Sequence, residues 1–216
     1  MGLVLHEVMH GYVANSLGDR TAARMGRLTL NPRAHLDPLG TAMILLVGFG
    51  WAKPVPVNPM NTRDPKRSMA LIAAAGPATN LVIAGIAGIA IKLDWVPFFH
   101  PFINPSLVQF AAGLWTDSPA NLLGLFLGTI VFINVLLAVF NFLPIPPLDG
   151  FRVAVGVLPD ELSRPLARLE PWGFGILLVL LFAVPFMTSG EINPLFEITS
   201  PARRFIISLF TGVDLA

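Results

Sequence analysis

Apolar residues along this chain come in long unbroken runs. Residues 69–91 and 121–143 hold 23 consecutive uncharged positions each, and residues 172–188 hold 17. A helix needs about 17 to 25 such residues to cross the hydrocarbon core of a bilayer, so the pattern predicts three spanning helices. A further helix is expected over residues 2–17. The apolar run at 39–52 is too short to span and is flanked by GRLTLNP at 26–32 and PVPVNP at 54–59. Those flanks alternate apolar with polar or proline positions, as short edge strands do. Residues 26–58 are therefore expected to form a small β or re-entrant insert at the membrane rim, with a strand edge open to an extended peptide. Residues 105–116 should lie along the opposite interface. No internal repeat and no second soluble domain is visible, so residues 1–216 read as one membrane-embedded domain. Because only five residues precede His6, a further upstream span is expected for full support of the first helix.

Composition agrees with the runs. Hydrophobic residues make up 54% of the 216 positions and charged residues 12%, about half the usual share in a soluble domain. The formal charge of +1 and the lack of a basic run with interleaved aromatics argue against nucleic acid. The absence of cysteine excludes disulfides and Cys-ligated zinc. Lys and Arg are distributed unevenly: eight fall in residues 18–68, none in 93–120, and three in 144–171. By the positive-inside bias the first and third of these segments face the cytoplasm. Trp95, Trp115 and Trp172 fall at expected span ends, where an aromatic belt belongs. The fold class is thus a mostly α, multi-pass membrane protein, a bundle of about four to six transmembrane or re-entrant helices with a small β-strand insert at the cytoplasmic rim.

The segment HEVMH at 6–10 carries the candidate chemistry. Residues i and i+4 share one helix face, so His6 and His10 can offer two imidazole nitrogens to one Zn²⁺. Glu7, about 100° round the helix, can act as general base on water. Three such side chains in an otherwise apolar helix cost several kcal/mol at membrane depth unless paired or metal-bound. A catalytic zinc of this kind takes three protein ligands. Asp149, at the end of NFLPIPPLDG (141–150), directly after a 23-residue apolar run, is the carboxylate placed to be the third. Spacing alone leaves it either a ligand or a turn aspartate before glycine. Asp19, Asp37 and Asp64 read as solvated loop carboxylates. His35 reads as a loop hydrogen-bonder in competition with a ligand role, and His100 receives no role. Asn134 reads as interhelical glue, and Asn80 as either glue or a donor to a substrate backbone. Asn141, one turn before the broken proline segment, reads as glue or as a contact to substrate backbone. Ala84 and Gly88 read as close-packing positions.

Three separated motifs coincide: HEVMH at 6–10, GPATN at 76–80, and NFLP at 141–144 with LDG at 148–150. Together they resemble the site-2 protease family of intramembrane zinc metalloproteases. The strand-like 26–32 segment, HLDPLG at 35–40 and GWAKPVPVN at 50–58 look like its compact prokaryotic branch, without PDZ or nucleotide-sensing CBS domains. The match covers roughly residues 3–155. The resemblance implies one zinc per chain held by His6, His10 and Asp149, Glu7 as general base, and Asn141 near the scissile peptide. It further implies a multi-pass cell-membrane protein that cleaves membrane-spanning substrates near the cytoplasmic face, in regulated intramembrane proteolysis. A transporter or metal-handling protein is the alternative from another class, because broken helices and intramembrane carboxylates also mark ion paths. A catalytically inactive family member is a third.

Overall fold

The computed structural model describes residues 1–47 and 50–214. Eleven α-helices form among them: α1 (Gly2–Ser16), α2 (Thr21–Arg24), α3 (Pro38–Val47), α4 (Pro65–Lys92), α5 (Val108–Thr116), α6 (Pro119–Asn141), α7 (Asp149–Val157), α8 (Asp160–Ala167), α9 (Gly173–Leu178), α10 (Val184–Met187) and α11 (Pro194–Thr211). Three helical stretches are long and apolar enough to cross a membrane: Pro65–Lys92, Pro119–Asn141 and Asp160–Met187. They overlap the three expected runs, the third beginning at Asp160 rather than at residue 172. Each leaves large apolar side chains exposed, such as Leu71, Val82 and Ile86 on α4 and Leu122 and Phe126 on α6, which is how a face meets lipid rather than protein. The third stretch is interrupted by a π segment at Val179–Ala183. Pro185 follows it, and because it lacks the N–H that would close the regular ladder, the turn before it widens.

The expected β-strand insert is not there. Among the described residues no strand forms, and the single bridge is Leu36 with Ala52. Residues 26–58 instead contain a 3₁₀ turn at Pro32–Ala34 and helix α3, with extended chain on either side. Of the short apolar run at 39–52, Gly48 and Phe49 lie outside the described residues. The physical reason is donor supply. Prolines at 54, 56 and 59 remove three of the six N–H groups of the second flank, and two that remain are committed elsewhere: Val55 N–H donates to Glu7 and Asn58 N–H to Asp19. No row of donors is left to build a ladder.

The chain divides into two compact units, with α4 passing from one into the other. The first comprises Met1–Thr79 and Phe140–Pro194. In it α1 buries Val4, His6, Val8, His10, Gly11 and Ala14 along one face. At Gly11 a β-carbon would meet Leu28, Val55 and Ala22 at 2.6, 2.9 and 3.2 Å, so glycine there admits the insert against α1. Asp19, just beyond α1, is fully buried. It accepts hydrogen bonds from the Thr21 amide and hydroxyl, the Asn58 amide and the Asn61 side chain. The reading of Asp19 as a solvated charge therefore fails. It is a clamp between the end of α1 and the 58–61 turn.

The second unit comprises Asn80–Val139 and Leu195–Ala216. Its core is Ala84, Ala87, Ile91, Val96, Val131, Val135 and Ile207. Gly88 meets the Phe210 backbone, where a β-carbon would come within 2.7 Å of the carbonyl oxygen. The Asn80 amide donates to Asn134 Oδ1 at 2.8 Å, and the Asn134 amide donates to the Ile130 carbonyl at 2.8 Å. The glue reading of Asn134 holds, and Asn80 is its partner. Helix α11, absent from the sequence reading, buries Thr199, Arg203 and Thr211 and exposes Ile198, Phe205 and Leu209. Leu195 and Ile207 are buried on the same helix, and Glu197 and Arg204 are exposed beside the apolar residues, so both of its faces mix polar and apolar side chains. Its buried threonine hydroxyls return their hydrogen bonds to the carbonyls of Leu195 and Ile207.

Candidate metal centre

The centre is assembled within the first unit from α1, α4 and the start of α7. On α1, His6 and His10 stand one turn apart, with ring centroids separated by 4.7 Å and planes nearly perpendicular. Asp149 comes from 139 residues further along the sequence than His10. The prolines at 144, 146 and 147 end α6, and α7 restarts at Asp149, so the carboxylate sits in the first turn of a helix, where the macrodipole favours negative charge. Gly150 is obligatory there because a β-carbon would collide with the Phe142 carbonyl oxygen. The loop between α6 and α7 can thus fold back tightly and deliver Asp149 to the histidines.

His6 Nε2 lies 3.0 Å and His10 Nε2 3.3 Å from Asp149 Oδ2. One donor atom from each of the three residues lies within 4.8 Å of the others, and the histidines are buried. In a tetrahedral zinc site with bonds of about 2.0 to 2.2 Å, ligand atoms stand roughly 3.3 to 3.6 Å apart. Two imidazoles and a carboxylate at this separation fit such an ion and leave one coordination position for water. The far side of His10 is fixed as well. Its Nδ1–H donates to the Ile72 carbonyl at 2.6 Å, which orients the ring and leaves Nε2 free to ligate, the usual support for a metal-binding histidine.

Helix α4 contributes a second device. At Gly76 a β-carbon would lie 2.6 Å from His10 Cε1, His10 Nε2 and His6 Nε2. The helix approaches the donor atoms so closely that no side chain fits. Glu7, half-buried on the adjacent face of α1, accepts a hydrogen bond from Val55 N–H at 3.1 Å through Oε2. One carboxylate oxygen is thereby held by the insert.

The remaining candidates are placed as follows. His35 Nε2 bonds the Thr29 carbonyl at 2.8 Å, and the residue is not part of the metal-ligating group, so the loop reading of it holds. Asn141 is the last residue of α6 and half-buried. The sequence reading missed four contributions: the Ile72 carbonyl, the Gly76 clearance, the Val55 amide and the Asp19 clamp. Gly76 had entered it only within the GPATN motif and Asp19 only as a solvated carboxylate.

These features define a metalloprotease-type centre in a membrane protein, and comparison with known proteins places it. The profile of peptidase family M50 matches residues 1–184. A Bacillus subtilis (strain 168) protein named "Putative zinc metalloprotease YwhC" is 36% identical over 213 residues, which cover 99% of this chain and 89% of the relative. The similarly named Rip2 of Mycolicibacterium smegmatis is 33% identical over 189 residues, covering 84% of this chain and 63% of that protein. Rip2 of Mycobacterium tuberculosis H37Rv is 29% identical over 213 residues, covering 94% of this chain and 73% of the relative. No solved structure matches the chain significantly. The chain belongs to peptidase family M50, the site-2 protease family of membrane zinc metalloproteases.

Proposed function

We propose that the protein is an intramembrane endopeptidase that hydrolyses peptide bonds within membrane-spanning substrates near the cytoplasmic face of the cell membrane. His6, His10 and Asp149 are its zinc ligands, Glu7 its general base, and Asn141 a contact to the substrate backbone. The observation that carries this reading is the meeting of three donor atoms from two distant parts of the chain, within 4.8 Å.

Zinc, when bound, supplies Lewis acidity that makes water nucleophilic at neutral pH and polarises the scissile carbonyl. The rest is the work of the chain. Val55 N–H fixes one oxygen of Glu7, so the other is available to take the proton from attacking water and return it to the departing amine. The Ile72 carbonyl keeps His10 in one tautomer. Asn141, at a helix end where the backbone of α6 gives out, has the donor and acceptor needed to hold an unwound substrate strand.

The test is zinc content by elemental analysis of the purified full chain, together with cleavage of a fluorogenic single-span reporter peptide in detergent. The expected result is about one zinc per chain, lost in Asp149→Ala and kept in His35→Ala. Glu7→Gln is expected to keep zinc and lose at least a hundredfold in cleavage, in line with the worth of a general base. A folded Asp149→Ala protein with full zinc would remove that residue from the ligand set, and near-normal cleavage by Glu7→Gln would end the base assignment.

A further inference from the structure

A second site lies in the first unit, away from the metal-binding residues. Beyond the end of α1, Gly18, Arg20, Arg24 and Asn61 line an open cleft of about 470 Å³, a size suited to a small ligand or a lipid headgroup. Arg20 and Arg24 stand four residues apart, one turn along α2, and both are exposed. Among the described residues neither guanidinium has a hydrogen-bond or ion-pair partner. The nearest acid in sequence, Asp19, is turned inward and spends its oxygens on Thr21, Asn58 and Asn61. On the wall of the cleft, the Asn61 side chain is held in place, donating to both Asp19 and Thr21.

Depth in the bilayer favours a lipid. Asn61 precedes the first residue of α4 by four positions, and the 28 residues of α4 rise about 42 Å at 1.5 Å each. That exceeds the ~30 Å hydrocarbon core, and Arg63, Lys66 and Arg67 charge this end of the helix, which assigns the turn before α4 to headgroup level. The sequence neighbours of the cleft residues are apolar and open: Met25 is 61% and Met60 76% exposed. Two unpaired guanidiniums, with exposed methionines next in sequence to Arg24 and Asn61, match a phosphate joined to a glycerol backbone and acyl chains. A soluble acidic partner would find the charge but would have no use for the exposed methionines.

We infer that the Arg20–Arg24 cleft binds the headgroup phosphate of an anionic phospholipid. The inference stands apart from the protease reading, and it is tested on binding. The delipidated full chain in detergent is titrated with phosphatidylglycerol or phosphatidylcholine and the adducts are counted by native mass spectrometry, with zinc content and melting temperature as fold controls. Phosphatidylglycerol is expected to bind at least tenfold more tightly than phosphatidylcholine. That preference should fall at least tenfold in R20A/R24A and less than twofold in R33A/K53A, a basic pair outside the cleft. If the alanine pair fails to fold, R20Q/R24Q is read in its place. Unchanged phosphatidylglycerol binding in the cleft variant, or an equal loss in R33A/K53A, overturns the proposal. Displacement of the lipid by micromolar inorganic phosphate would make the cleft a free-anion site, and tighter binding of a glutamate-rich peptide would assign it to a protein partner. Either result overturns the lipid.

Discussion

The two units each bury a polar cluster in an apolar helix bundle, and they resolve the cost in opposite ways. In the second unit Asn80 gives its proton to Asn134, and Asn134 gives its own to a carbonyl of its helix. The chain of donors and acceptors closes on itself. In the first unit two imidazole nitrogens and a carboxylate oxygen converge on one another. A carboxylate is acceptor-only when ionised, and His10, whose Nδ1–H is given to the Ile72 carbonyl, has only a lone pair left at Nε2 when neutral. Lone pairs converging in this way suit a cation. A closed cluster holds helices together, and an open one binds. The same logic separates two glycines on α4: Gly76 makes room for donor atoms and Gly88 for a helix backbone.

Substitutions can break or sharpen this contrast. The largest effects belong to the open cluster, where Glu7→Gln and Asp149→Ala should each eliminate detectable cleavage, the first with zinc retained and the second without it. Next is Gly76→Ala, whose methyl must displace both histidines. Zinc affinity, read by competition with a chromogenic chelator, is expected to fall 10- to 100-fold, the range found when the support of metal ligands is disturbed. Gly85→Ala on the same helix serves as the control, because its β-carbon would meet only Phe210 at 3.7 Å, an ordinary contact. In the closed cluster, Asn134→Ala should cost about 1 kcal/mol of stability in a detergent unfolding titration and leave zinc stoichiometry at wild-type level. Loss of zinc there would show that the two clusters are not separate in function.

The smallest effect concerns pH. Burial opposes ionisation of Asp19, but the hydrogen bonds from the Asn58 amide, the Thr21 hydroxyl, the Asn61 side chain and the Thr21 amide outweigh it, so the carboxyl is held below its ordinary value. A carboxyl that is more acidic folded than unfolded contributes stability above the unfolded value, about 4, and loses it as pH falls through the folded one. Melting temperature should therefore drop less between pH 5 and pH 3 in Asp19→Asn than in the wild type. An equal drop in both would remove Asp19 as a source of acid sensitivity.

Much of the fold was readable because the bilayer imposes a simple length rule. Three runs of uncharged residues became three long helices, with ends shifted by a few residues at α4 and α6. The third began earlier, at Asp160, because the polar helix α8 leads into it. Helix α11 escaped notice because Glu197, Arg203 and Arg204 interrupt its apolar run, and only packing shows that Arg203 is turned inward over Phe196. The 26–58 insert was misread for a related reason. Alternation of apolar and polar positions says which residues face inward, but a strand also needs a partner for its N–H groups, and here the partners were Glu7 and Asp19.

His6, Glu7 and His10 could be named from sequence because i, i+4 spacing fixes their relation whatever the rest of the chain does. Asp149 could not be settled in that way, since spacing admits both a ligand and a turn residue, and the choice rests on where a broken helix restarts. The Ile72 carbonyl, the Gly76 clearance and the Val55 amide lie further still from sequence, because each acts through backbone, which every residue type shares. Local chemistry and membrane-spanning length are written in side chains, whereas the closing of the metal centre is a matter of how near the backbones of distant segments come, and only the tertiary structure decides that.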